Sequence, residues 1–508
     1  MDGTLDTTFG SGGKVVVALS GVSDQANAVV VQPDGRIVTA GFAFNGTNND
    51  FALLRVNPDG TPDGSFGAGG KVLTPLGPMA EEANALVLQP DGKLAAGGYT
   101  TDTAVNQQLA ALVRYDATGA LDPTFGTGGK VVTGLGAHGT GPLEALALQP
   151  DGKIVGGGAV TVGSPDYAAV RFNANGTFDA AFGTGGMAVV PGSYGSGWIR
   201  AVVLQPDGGI LLAGEAYIDG TDAFALARVH ANGTPDASFG DGGALAFSPG
   251  PDDDQAYAVA LAPDGKVIVA GQSLVGSTRR FAVLRLDPDG KPDATFGGTG
   301  VIVTPLGVTH DTASGAVAQP DGKVLVAGSA YYFGAKDEDA VVACFNPDGS
   351  PDPTFGAGDT AATNAGLGND RAFAVALQPD GKVLTAGTGQ TGSNTEFQLL
   401  RYDANGAPDR SFGTAGRVLT AVGPASDTAY AVYSPFADVT ASGKIDGLDL
   451  VVVRMNQLVM LPDGDPPATA PAPQPQIAAA GRTVLAPPPR VSLFGRTPIR
   501  DEDATVLA

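Results

Sequence analysis

The residues best able to do chemistry in this chain recur at a fixed spacing. Asp6, Asp63, Asp122, Asp179, Asp236, Asp293, Asp352 and Asp409 each stand three residues before a Phe-Gly pair. Arg55, Arg114, Arg171, Arg228, Arg285, Arg401 and Arg454 recur with them. Eight carboxylates in a ring could hold cations. They could equally accept hydrogen bonds from their own turns, or pair with the repeated arginines where copies meet. A single active site needs a residue that is unique, so a group present in every copy is expected to be architectural.

One segment has the spacing of a calcium loop. Asp438, Thr440, Ser442, Asp446 and Asp449 occupy loop positions 1, 3, 5, 9 and 12, with Gly443 at 6 and Ile445 at 8. That is the order of an EF-hand loop. Thr440 and Ser442 replace two carboxylates, and residues 449–456 also match a strand of earlier copies, so a decayed repeat explains the segment more simply. Calcium is the one cofactor the residues suggest; otherwise none is expected.

Catalytic signatures are scarce. His138, His230 and His310 are the only histidines, none in a paired metal or nucleophile motif, and Cys344 is the only cysteine. No Gly-x-Ser-x-Gly elbow or phosphate-binding loop is present. The acidic runs 252–254 and 337–339 read as solvated loop charges rather than acid–base partners. The richest ligand contacts are aromatic: Tyr194 and Trp198, Tyr217, and Tyr331, Tyr332 and Phe333, all in segments that vary between copies. Such rings stack on sugars or anchor a protein partner, or they pack within their own loops.

The elements that position these groups follow from the period. The Phe residues at 9, 66, 125, 182, 239, 296, 355 and 412 are spaced 57 or 59 residues apart, which means one supersecondary unit copied in series. Each copy holds four short apolar stretches, in the second copy 71–74, 83–88, 93–97 and 109–115, bounded by Gly, Pro, Asp or Asn. They read as strands. Gln-Pro-Asp-Gly joins the second to the third, as at 89–92, where Pro presets φ and Gly takes the left-handed position of a tight hairpin. The fold class is therefore all-β, a β-propeller of four-stranded antiparallel blades. Eight blades are expected, with seven as the alternative, because the eighth copy has Tyr433-Ser434-Pro435-Phe436 in place of the turn. Should blades be offset from the repeat, the N-terminal strand would complete the last one and remove open edges.

The run from Gln378-Pro379-Asp380-Gly381-Lys382 through Phe412-Gly413 resembles the bacterial delta-60 repeat proteins, and the resemblance covers residues 1–433 well and 434–456 in part. It implies an exported β-propeller with no established activity. Cys344, where other copies carry Arg, departs from the pattern.

The propeller is expected over 1–460, and a Pro/Ala-rich disordered tail over 461–508. The net charge of −23 argues against nucleic-acid or anionic-membrane partners, and no apolar run is long enough to span a bilayer. A monomer is expected. Met1 falls inside a repeat and no export signal is visible; a fragment or late start, with an extracellular or cell-envelope location, is the expectation. In function the chain reads as a non-catalytic scaffold or binding module that recognises a protein or glycan ligand through variable loops on one face. The alternative is a calcium-supported propeller hydrolase or lyase acting on polysaccharide.

Overall fold

The computed structural model describes residues 2–421, apart from the short segments 21–22, 103–106, 135–140, 163, 191–196, 219, 333–336, 359, 364–367 and 392–393, together with strands at 431–432, 451–454 and 457–460. All regular elements among the described residues are strands. The expected tail over 461–508 and all five residues of the calcium loop lie outside the described residues.

Seven four-stranded antiparallel sheets follow one another along the chain, over 24–74, 82–133, 145–190, 197–247, 254–304, 312–363 and 371–420; they are numbered blades 1 to 7 here. In blade 1, Asp24–Val31 pairs with Ile37–Phe44, that strand with Asn49–Val56, and the last with Lys71–Thr74. The blade is offset from the sequence period, since the strand that opens each copy closes the preceding sheet as its fourth strand. Seven regular blades are the alternative count, not the expected eight. The reason lies in the eighth copy, which lost its turn: its strand Val451–Arg454 pairs with Gln457–Met460 through a two-residue connection, and Gln457–Met460 pairs with the N-terminal Lys14–Val16. These strands and Ala431–Val432 form a further, composite sheet of two- to four-residue strands.

In most neighbouring blades the first strands lie beside one another, as strands closest to a propeller axis do, while the first strand of blade 5 lies against the second and third strands of blade 4. Apolar side chains from adjacent sheets interleave in clusters most of which span two sheets, such as Leu112, Phe125, Leu146, Ile154 and Val170; the cluster of Phe397, Leu399 and Phe412 lies within blade 7, with Leu5 packed against it. Most of the apolar burial of a blade therefore depends on its neighbours.

The Asp-x-x-Phe-Gly segment locks one blade to the next. Phe66 is fully buried, and burying a Phe contributes about 1.5–3 kcal/mol. Gly67 donates its N–H to the Thr118 carbonyl at 2.7 Å, in the turn of the next blade. Gly119 in that turn has φ +81°, and a Cβ there would fall 2.9 Å from the Phe66 ring. The same bond runs from Gly126 to Asn175, Gly183 to Asn232, Gly297 to Asp348 and Gly356 to Asn405. At the end of the series, Gly413 donates to the Asp2 carbonyl, so the N-terminal residues receive the last plug.

Candidate functional site on the axial strands

The repeated Asp and Arg residues meet in these junctions. Arg55 Nε donates to Asp63 Oδ2 at 2.7 Å, its guanidinium lies 4.4 Å from the centre of the Phe66 ring, and Nη1 donates to the Ala117 carbonyl at 2.7 Å. Ser65 donates its N–H and hydroxyl to Asp63 Oδ1 at 2.9 and 2.7 Å. Arg114, Arg171, Arg228, Arg285 and Arg401 repeat the stacking on their own Phe residues. The cation that follows most of the Gln-Pro-Asp-Gly and Ala-Pro-Asp-Gly turns adds a second partner, as with Lys266 and Asp293 at 3.1 Å or Lys382 and Asp409 at 2.8 Å, whereas Gly209 stands there in copy four. Burial opposes ionisation of these carboxylates, but hydroxyl and backbone donors and the adjacent Arg outweigh it and hold Asp122 at about 2. Their lone pairs are committed to protein donors, which leaves a cation little to bind.

Copy six shows how the cluster tolerates a loss. Cys344 stands in the Arg position, and Asp352 pairs with Lys323 at 2.9 Å while Thr354 donates its N–H and hydroxyl to the other carboxylate oxygen. Burial pushes the Cys344 thiol up to about 12, which disqualifies it as a nucleophile.

A different arrangement occupies the first strands. In six of the seven regular blades, the register against the second strand slips by one residue, at Asn27, Asn84, Arg200, Tyr257, Ser314 and Phe373. Each slip is a β-bulge, a device that re-aims a side chain. The second strand makes room with a glycine. A Cβ on Gly41, Gly98 or Gly271 would lie 1.9 Å from the carbonyl oxygen of Gln25, Glu82 or Gln255, and on Gly328 or Gly387 it would lie 1.8 Å from that of Thr312 or Arg371. None of these five glycines has positive φ, so the close approach alone requires Gly.

The scaffold around the bulge is thus copied, while the bulged residue is different almost every time. Sequence reasoning missed this set, although a signal exists. Counting back five residues from the Gln or Ala that opens each turn gives Asn27, Asn84, Glu144, Arg200, Tyr257, Ser314 and Phe373, all seven directly followed by Ala or Gly and most preceded by Ala.

Their contacts run along and across the axial strands. Asn27 Nδ2 donates to Glu82 Oε1 and the Ala83 carbonyl, both at 2.9 Å, on the first strand of blade 2. Arg200 Nη2 pairs with Glu215 Oε1 at 2.8 Å. Tyr257 donates its hydroxyl to Gln255 Oε1 at 2.6 Å, Gln272 Nε2 donates to the same oxygen at 2.9 Å, and Thr312 Oγ1 donates to Gln272 Oε1 at 3.0 Å. Arg371 pairs with Glu338. Burial pushes the Tyr257 hydroxyl up to about 12, against the pull of Arg279 and Arg200.

The strand starts on this face carry a second repeated group that was also missed. Glu81, Asp254, Asp311 and Asp370 are fully buried and Asp24 nearly so. Each stands eight residues before the turn, and most accept N–H donors from the preceding loop, as Asp311 does from Leu306 at 2.9 Å and Gly307 at 3.0 Å. Burial pushes Glu81 up to about 7 and Asp254 to about 6. Asp254 is therefore not a solvated loop charge, and neither are the buried Asp337 and Asp339; strand pairing draws all three into the sheets.

Of the aromatic residues singled out in the sequence, Tyr217 is 42% exposed. Tyr331 and Tyr332 are partly buried at the end of a blade 6 strand, with Tyr331 edge-on to His310 at 6.3 Å. Trp198 lies on the first strand of blade 4, paired with Glu215. Tyr194 and Phe333 lie outside the described residues. The described residues of this set lie on two blades, 4 and 6, which are not adjacent. Among the described residues no group of three or more His, Cys, Asp or Glu could hold a metal ion, and no helix is long and apolar enough to cross a membrane.

Residues 32–66, 89–125, 149–182, 205–239, 262–296, 319–355 and 378–412 each match the family described as "Domain of unknown function (DUF5122) beta-propeller". The chain belongs to a repeat β-propeller family. Each match starts at a Gln-Pro-Asp-Gly or Ala-Pro-Asp-Gly turn and ends on the Phe of a junction, so the family pattern leaves out the bulged residues. No curated protein matches the chain. Among solved structures, Sqt1 of Chaetomium thermophilum bound to the N-terminus of the ribosomal protein L10 is similar at 12% identity, over 88% of this chain and 98% of that one, with a TM-score of 0.44. An ulvan lyase of polysaccharide lyase family 25 is similar at 11% identity, over 74% and 90%, with a TM-score of 0.39. At these values neither bears on what this chain binds.

Proposed function

We propose that this repeat β-propeller is a non-catalytic binding module that recognises a protein or glycan ligand with the bulged residues of its axial strands. One observation carries the reading: the bulge and its facing glycine recur, while the residue they display does not. A repeated frame presenting unlike side chains makes an asymmetric surface on a symmetric scaffold, which is what selective binding requires. The junction carboxylates, being saturated by protein donors, serve architecture. The resemblance to the delta-60 proteins supports an exported bacterial protein, and we place it outside the cytoplasm as a monomer. We further propose that the composite sheet acts as an eighth blade, since the Gly413 bond to Asp2 continues the junction series.

The test is a binding screen of the full chain against glycan and peptide arrays, repeated with Asn27→Ala, Ser314→Ala and Phe373→Ala combined. The triple variant is expected to lose the hits of the parent protein while keeping its melting temperature. Unchanged hits would remove the axial strands from consideration.

A further inference from the structure

Resting on that reading, we infer that the sector of the axial surface formed by blades 4 and 5 takes an uncharged, hydroxyl-rich glycan. The groups there are Arg200, Glu215, Asp222, Gln255, Tyr257, Gln272 and Arg279. Arg200 and Arg279 stand against Glu215, Asp222 and Asp253, whose Oδ1 accepts the Asp222 N–H at 3.1 Å, so these groups bring no excess of positive charge for an anion. They sit in a chain whose net charge is −23, a field that disfavours an anionic ligand.

The composition of the sector is that of a site for hydroxyl groups. A sugar hydroxyl both donates and accepts, so it needs donors and acceptors side by side. Arg200 and Glu215 supply both from one partly exposed ion pair; Arg200 Nε and Glu215 Oε2, which have no hydrogen-bond partner in the protein, are buried beneath it. Gln255 Nε2 lies 3.4 Å from Asp222 Oδ2, and Gln255 Oε1 takes the Tyr257 and Gln272 donors. These bonds fix both amide planes. The Thr312 bond to Gln272 carries the same network to blade 6. Tyr257 adds an aromatic ring, the side chain on which an apolar sugar face can stack. Its hydroxyl stays neutral across physiological pH because burial pushes it up to about 12.

The experiment is isothermal titration of the full chain with neutral tetrasaccharides of glucose, galactose, mannose and xylose, each hexose tetramer paired with its C6-oxidised uronate. At least one neutral tetramer should bind, with its uronate about tenfold weaker or more, a difference of about 1.4 kcal/mol. Tyr257→Phe and Arg279→Gln should each weaken the neutral ligand, while melting temperatures stay near that of the parent chain. The inference falls if a uronate binds as tightly as its neutral partner, if no tetramer binds, or if both variants bind unchanged. Peptide hits lost in the triple bulge variant would then still support the broader reading; binding that survives every axial substitution would sink both.

Discussion

The glycine facing each bulge can be tested without disturbing any polar group. Gly328 in blade 6 has no positive φ, so alanine is allowed there by backbone conformation. Elsewhere in a strand, Gly→Ala would stabilise by about 0.5–1 kcal/mol. Here the new Cβ would sit 1.8 Å from the Thr312 carbonyl oxygen and 2.8 Å from its carbon. Backbone cannot rotate away as a side chain does, so the strands must separate or the bulge at Ser314 must flatten. Overpacking of this kind costs about 1–3 kcal/mol, and we expect a net loss of about 2 kcal/mol. Gly64→Ala is the control, since nothing lies within 4 Å of its Cβ and its φ is not positive. With an unfolding entropy of about 2.1 cal/mol/K per residue over about 420 residues, 2 kcal/mol lowers the melting temperature by about 2 °C. Scanning calorimetry reads that shift, and amide exchange over residues 312–318 localises it. If Gly328→Ala melts with the control and exchange there is unchanged, the bulge does not depend on glycine and the structural basis for the axial site is wrong.

Two further outcomes follow from the electrostatics and the closure. Glu81 and Asp254 are raised to about 7 and 6, so the stability they contribute is complete below pH of about 4 and lost as pH rises through those values. Asp122 and Asp352 are lowered to about 2, so theirs is present above pH of about 4 and lost as pH falls through 2. Melting temperature should therefore peak near pH 4–5, and the melting temperature of Glu81→Gln relative to the parent should rise between pH 4 and 8; a constant difference would contradict the assignment. Removing residues 2–17 takes away the acceptor of the Phe412-Gly413 plug, the Phe9 plug and strand Lys14–Val16 together. Faster amide exchange should then appear first in blades 7 and 1, and a truncated chain that melts like the parent would refute closure by the N-terminus.

What could be read from the sequence was what the period repeats. Gln-Pro-Asp-Gly declares a hairpin because Pro and Gly each admit few backbone conformations, and Phe-Gly declares a plug because a large ring next to a bare backbone has few uses. The blade boundary was less legible: 71–74 looks the same whether it opens one sheet or closes the one before, and only hydrogen-bond pairing decides. Asp254 was misread because burial depends on strand pairing, and an acidic triplet carries no trace of which member turns inward. The bulges were invisible for a related reason. A bulge leaves no mark in a pattern of alternation except a one-residue slip, and Ala26-Asn27-Ala28 reads as ordinary strand.

The division between copied and uncopied residues has an energetic basis that favours the axial reading. Cations in the repeat are consumed by the junctions: Arg285 and Lys266 both hold Asp293, and Arg401 and Lys382 both hold Asp409. Removing both cations of a junction would strand a carboxylate that is almost wholly buried, at a cost of several kcal/mol. The bulged residues carry no such burden, because glycine and the backbone hold the bulge whatever side chain it displays. Asn27, Tyr257 and Phe373 differ in size, polarity and shape, yet their frames superpose in register. A chain built this way can alter one bulged residue without weakening a junction, and so can change what it binds at little cost to the fold. The junctions have less freedom: where Cys344 replaces the Arg, Lys323 remains to hold Asp352, and where Gly209 replaces the Lys, Arg228 remains to hold Asp236.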